Sequence, residues 1–88
     1  MLMLRRSKEQ IIAKLLQICQ KPGVTRTYVV YQTKLNLKTV MAYLNLLIGW
    51  GLLEEVPGKS TTYKTTPKGK RALKALRAIE DMIAVRLE

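Results

Sequence analysis

Catalysis has little to work with in this chain. Its carboxylates fall at Glu9, Glu54-Glu55, Glu80-Asp81 and Glu88, Cys19 stands alone, and histidine is absent. A metal centre needs several His, Cys or carboxylate ligands converging on one point, and nucleophilic catalysis needs a base beside the nucleophile. Neither set can be drawn from these residues, so no enzymatic activity, metal or cofactor is expected. Cys19 falls on the apolar side of a helical pattern and reads as a small core residue. What the chain does offer is positive charge. Sixteen Lys and Arg against six Asp and Glu give a net charge of +10 and a pI near 10.1. Such a balance creates a long-range field that recruits polyanions and points to nucleic acid as the partner.

The field is unevenly spread. Residues 5–53 carry eight basic groups and one acid, residues 54–78 seven and two, and residues 79–88 one and three. Between Gln10 and Leu53 there is no acidic residue. The positive surface therefore belongs to the first three-quarters of the chain, and the tail is kept out of it for another task. At 88 residues the chain makes one small body that buries only about 60 to 65% of its unfolded surface. Met1 to Leu4 are apolar but too short for a signal-peptide core, and the run Leu46–Leu53 falls short of a membrane span. A cytoplasmic, nucleoid-associated protein is expected.

Hydrophobic periodicity places the elements that carry this charge. Residues 7–21 set Ile11, Ile12, Leu15, Leu16, Ile18 and Cys19 on one side and Lys8, Lys14, Gln17 and Lys21 on the other. Ser7 and Gln10 have capping-box spacing, and Pro22-Gly23 ends the helix. A shorter helix fits Arg26–Lys34, where Val29 and Val30 pack with Tyr28 or Tyr31, although its β-formers leave propensity ambiguous. Leu35-Asn36-Leu37 suits a tight turn between two steeply crossed helices, with Asn36 as N-cap of the next. That third helix, Leu37 to Gly49, turns Leu37, Val40, Met41, Leu44, Leu47 and Ile48 inward. Lys38, Thr39, Ala42, Asn45 and Leu46 face out, with Tyr43 on a flank and Asn45 toward the buried edge. Gly51 supplies a left-handed C-cap. Two β-prone runs, Leu52–Val56 and Thr61–Thr65, flank the turn Pro57-Gly58-Lys59-Ser60 and form a hairpin. Thr66 caps a last helix that opens on Pro67.

From Pro67 to Glu88 an apolar stripe recurs at Ala72, Leu76, Ile79, Ile83 and Leu87, with Leu73 at its edge. This 4-3-4 spacing is coiled-coil-like, and a helix of roughly 30 Å exceeds what a three-helix body can cover. Self-association is expected, with antiparallel pairing favoured because it sets the basic Lys68–Arg77 segment beside the partner's Glu80-Asp81. The alternative is that the helix folds back and completes the monomer core.

In this order the chain resembles a winged helix-turn-helix DNA-binding domain, and among these the small archaeal winged-helix proteins that dimerise through a C-terminal antiparallel coiled coil. Three segments carry the resemblance: Arg5–Ile12; Lys34–Val40 leading to Tyr43-Leu44 and Gly51-Leu52-Leu53; and Tyr63-Lys64-Thr65-Thr66-Pro67-Lys68-Gly69. It implies an α+β, mainly α fold, a three-helix bundle plus a β-hairpin wing, with residues 1–66 binding DNA and residues 67–88 dimerising. It further implies that Lys38, Thr39, Ala42 and Tyr43 face the major groove and that Arg26, Lys34, Lys59 and Lys64 contact the backbone. Ala72, Leu73, Leu76, Ile79, Ile83 and Leu87 would form the dimer seam. Gly49-Trp50 and Glu54-Glu55 fit the pattern poorly: Trp50 is expected to pack on the tail or wing, and the glutamates to confine wing contact to its tip.

The outward face of the third helix is poor in bidentate base readers, so affinity should come mainly from phosphates. Double-stranded DNA and a homodimeric transcription regulator are the expectation, with a sequence-tolerant architectural protein as alternative. A protein-interaction module would seldom need +10, RNA binding would want exposed aromatics for stacking, and a membrane-surface role would want bulky apolar residues left unburied. No small-molecule substrate is expected.

Overall fold

The computed structural model describes residues 7–87, with side chains described as far as Met82. Arg5-Arg6 and the side chains of Ile83 and Leu87 lie outside the described residues. Within them the elements run α1 (Lys8–Ile18), α2 (Arg26–Thr33), α3 (Leu37–Gly49), β1 (Leu53–Val56), β2 (Thr62–Thr65) and α4 (Pro67–Leu87). This is the expected mainly helical architecture with one antiparallel hairpin.

Each helix starts where a side-chain oxygen can take an orphan N–H. At α1 the capping box is complete, with the Gln10 N–H bonded to Ser7 Oγ at 3.1 Å and the Ser7 N–H to Gln10 Oε1 at 3.0 Å. Thr25 and Asn36 cap α2 and α3. Thr66 Oγ1 accepts from Gly69 at 3.0 Å at the head of α4. The helix ends are less regular. The first helix stops at Ile18, three residues before the expected end, because the carbonyls it leaves open are taken by the wing: Thr65 Oγ1 donates to Leu16 O at 2.7 Å and the Thr65 N–H to Cys19 O at 3.0 Å. The second helix ends on Lys34 in the left-handed region (φ 63°), so the turn to α3 is Lys34-Leu35-Asn36, one residue earlier than expected. Gly51 has φ 77°, as its C-cap role requires.

The core is a single cluster of Ile11, Ala13, Leu15, Leu16, Cys19, Val24, Val29, Val40, Leu44, Leu47, Leu52, Leu53, Tyr63 and Leu73. Leu37, expected inward, is 47% exposed, because it occupies the first turn of α3 where the chain has just left α2. The hairpin pairs Leu53 with Thr65, Glu54 with Lys64, Glu55 with Tyr63 and Val56 with Thr62. Val24 adds a further bridge to Tyr63, through a Tyr63 N–H to Val24 O bond of 2.8 Å, and so ties the wing to the segment preceding α2.

The proximal half of α4 lies along α1 and belongs to the body. Leu73, assigned by sequence to the edge of a dimer stripe, is 8% exposed, and Ala72 and Leu76 are half-buried against the same core. The Arg77 guanidinium donates to Gln17 Oε1 of α1. Farther out, Ile79 is 52% and Met82 63% exposed. The fold-back alternative therefore describes the first three turns of the helix, and the exposed stripe begins only at Ile79.

Candidate nucleic-acid interface

Two grooves flank α3. The first is a polar slot of about 460 Å³ between the start of α2, the Met41 side of α3 and the wing, lined by Thr25, Arg26, Thr27, Met41, Glu55, Ser60, Thr61 and Tyr63. The second, about 570 Å³, lies between the start of α1 and the opposite side of α3 and is lined by Lys8, Glu9, Ile12, Ala42, Tyr43, Leu46 and Trp50. Between them runs the outer edge of α3, where Lys38, Ala42 and Asn45 are exposed and Thr39 is half-buried.

The sequence-assigned residues divide accordingly. Arg26 lies in the polar slot, and Lys38 is exposed at the start of α3. Ala42 and Tyr43 both line the more apolar groove, and Tyr43 is half-buried against the core, on the α1 side of the helix. Thr39 Nα is bonded to Asn36 Oδ1 at 2.8 Å as part of the cap. Lys59 is exposed at the wing tip, and Lys64 is exposed directly across the hairpin from Glu54. Directly opposed side chains share one face of the hairpin, so Glu54 lowers the positive potential at Lys64.

Lys34 is exposed at the helix-helix turn with its ammonium 5.1 Å from the Tyr31 ring centroid. A parallel arrangement links Lys21 to Tyr28, with Nζ donating to the phenol oxygen at 2.6 Å and lying 4.7 Å from the ring centroid. The Lys34 ammonium is attracted by the negative face of the Tyr31 ring, and Lys21 is held through the phenol oxygen of Tyr28. Tyr63 is buried at the floor of the slot, and its phenol is pushed above its ordinary value by burial first and then by the Glu55 carboxylate, with Arg26 acting in the opposite sense.

Several placements were not legible in the sequence. Asn45 is exposed on the outward side of α3, where the helical projection sets it, and is not drawn toward the buried edge. Trp50, expected to pack on the tail or wing, is 50% exposed and lines the apolar groove; its carbonyl accepts from Lys68 Nζ of α4 at 2.9 Å. The slot hydroxyls of Thr25, Thr27, Ser60 and Thr61 come together only because the wing folds back over the start of α2. Thr25, which caps α2, was the one with a readable signal. Among the described residues no group of His, Cys, Asp and Glu could hold a metal ion, and no helix is long and apolar enough to cross a membrane.

A family profile described as winged helix-turn-helix matches residues 5–84. The chain belongs to the winged helix-turn-helix family. No curated protein is similar in sequence. Among solved structures, the transcriptional regulator BldR from Sulfolobus solfataricus is similar with a TM-score of 0.80 at 14% identity, over 88% of this chain and 58% of that one. MepR, a transcription regulator of the Staphylococcus aureus multidrug efflux pump MepA, gives 0.78 at 20% identity, over 92% and 62%. A MepR–DNA complex gives 0.74 at 20% identity, over 93% and 62%. At these identities the likeness establishes the fold. This winged-helix chain spans about six-tenths of the length of those regulators.

Proposed function

We propose that this winged-helix protein binds double-stranded DNA as a transcription regulator, with α3 in the major groove and the wing tip, residues 57–60, on the backbone. The observation that carries the reading is a continuous acid-free stretch of chain with exposed cations on it. From Gln10 to Leu53 no carboxylate interrupts α2, the turn and α3, and Arg26, Lys34 and Lys38 are all exposed on it. A merely solvated face would mix signs. The existence of a DNA complex of MepR, whose fold this chain shares, supports the same reading.

Lys38 is the residue best set to reach a guanine edge and Ala42 a thymine methyl, while Arg26, Lys34, Lys59 and Lys64 meet phosphates. Thr39 and Tyr43 face the groove beside them, Thr39 with its backbone N–H held by the Asn36 cap and Tyr43 half-buried against the core. Dimerisation uses the outer part of α4, where Ile79 and Met82 are exposed, followed in the chain by Ile83 and Leu87. The reading makes the protein a component of the nucleoid. A second reading, a sequence-tolerant architectural protein, draws support from the thin base-reading set on α3: of its exposed residues only Lys38 and Asn45 carry hydrogen-bonding side chains.

Salt titration of duplex binding tests the reading. Arg26, Lys34, Lys59 and Lys64 amount to four phosphate contacts per protomer, so log K should fall with log salt with a slope of roughly −3.6 per protomer. A flat response would show that the positive field is not the binding determinant, and a native chain that binds no duplex at any salt would refute DNA binding. Selection from a random duplex pool then separates the two roles: a two-fold symmetric motif supports a dimeric regulator, and no enrichment supports the architectural role.

A further inference from the structure

The polar slot holds a group that works against phosphate binding. Glu55 and Arg26 line the same cavity, one from β1 and the other from the first turn of α2, with the Tyr63 ring buried between the two elements. The register of the hairpin sets Glu55 directly opposite Tyr63, and Val24, two residues before Arg26, bridges to Tyr63 from the other side. Tyr63 thus fixes the wing carboxylate and the helix guanidinium on the two walls of one slot. Its phenol senses both charges, with opposite signs. Glu54, the other wing glutamate, faces Lys64 on the opposite side of the hairpin and lies outside the slot.

We infer that Glu55 is a built-in brake on duplex binding: its carboxylate competes with a backbone phosphate for Arg26 across the slot, so that Arg26 engages DNA only at the expense of its own internal counter-charge. The inference rests on the DNA-binding reading and adds to it a residue that sets affinity. The physical need is plain from the charge balance. A stretch of 44 consecutive residues without an acid favours indiscriminate grip on phosphates, and Glu55 is a carboxylate brought from outside that stretch to a wall of the slot that holds Arg26. A carboxylate that shares a slot with a guanidinium lowers the local positive potential, so an incoming phosphate gains less there than at Lys38.

The test is a double-mutant cycle of Glu55→Gln and Arg26→Gln, read by duplex affinity at several salt concentrations, with thermal unfolding confirming that each variant is folded. Glu55→Gln is isosteric and exposed, so it should fold normally. It should raise affinity several-fold at low salt and steepen the log K against log salt slope by less than the ~0.9 of one whole phosphate contact, because Arg26 already meets phosphate in the native chain. Arg26→Gln should cost more affinity in the Glu55→Gln background than in the native one. Unchanged affinity and slope on Glu55→Gln, or equal cost of Arg26→Gln in both backgrounds, overturns the brake. Lys38→Gln tells this apart from failure of the underlying reading: if it weakens duplex binding while Glu55→Gln does nothing, only the brake is lost; if Lys38→Gln, Lys34→Gln and Arg26→Gln all leave binding unchanged, the α2–α3 interface is refuted; and if the native chain binds no duplex, DNA binding itself is refuted.

Discussion

Gly69 should be irreplaceable, although helix propensity argues the reverse. It lies inside α4, where alanine would ordinarily stabilise by about 0.5 to 1 kcal/mol. A β-carbon built there would stand 2.7 Å from Thr65 Cγ2 and 3.1 Å from the Leu52 carbonyl carbon, and closer still to the Leu52 oxygen. None of these can yield cheaply. Leu52 and Thr65 are buried, the Leu52 oxygen accepts the Thr66 N–H at 3.0 Å, and Thr65 is bonded to α1. Overpacking plus the strained Leu52–Thr66 bond should cost about 2 to 4 kcal/mol. Set against the propensity gain, Gly69→Ala should be less stable by about 1 to 3 kcal/mol, lowering Tm by roughly 5 to 20 °C for a domain of this size. Gly49→Ala is the control. It is also helical, nothing lies within 4 Å of its built β-carbon, and it should be neutral or slightly stabilising. Denaturant unfolding of both variants measures the contrast, and a Gly69→Ala protein as stable as the native chain would refute the close approach of α4 to the wing hinge.

Three further outcomes follow from the same packing. Ile79→Asp with Met82→Asp, both exposed on the chain alone, should yield folded monomers with weakened duplex binding, and unchanged mass by sedimentation would exclude this seam; Leu76 is unsuitable because it packs on the body. Thr65→Val removes the hydroxyl that bonds the buried Leu16 carbonyl and should destabilise by about 1 to 3 kcal/mol, measured by chemical denaturation. Burial pushes the Cys19 thiol from 9.0 up to about 11, so the folded chain holds a proton that the unfolded chain sheds: Cys19 contributes full stability below pH 9 and loses it as pH rises toward 11. Native Cys19 should therefore lose more stability than Cys19→Ala between pH 8.5 and 10.5, and parallel curves would contradict that burial.

The elements of the fold were readable because each rests on a local rule. Ser7 with Gln10, Asn36, and Thr66 with Pro67 mark helix starts through oxygens that reach N–H groups three residues on. The spacing of Val40, Leu44 and Leu47 marks a buried side, and Gly51 a left-handed stop. Charge sign is likewise additive along a chain, so the acid-free stretch and the acidic tail needed no coordinates. What the tertiary structure alone decided is who faces whom. A periodic stripe says that one side of a helix is buried and is silent about the partner, which is why Leu73 and Leu76 proved to serve α1 while Ile79 and Met82 stay open. Trp50 differs from its expected packing for the same reason, since no neighbour in sequence fixes its surroundings. The slot that joins Arg26 to Glu55 is made by residues 29 positions apart, brought together by the Val24–Tyr63 bridge, and contacts of that range depend on the packing of the whole body.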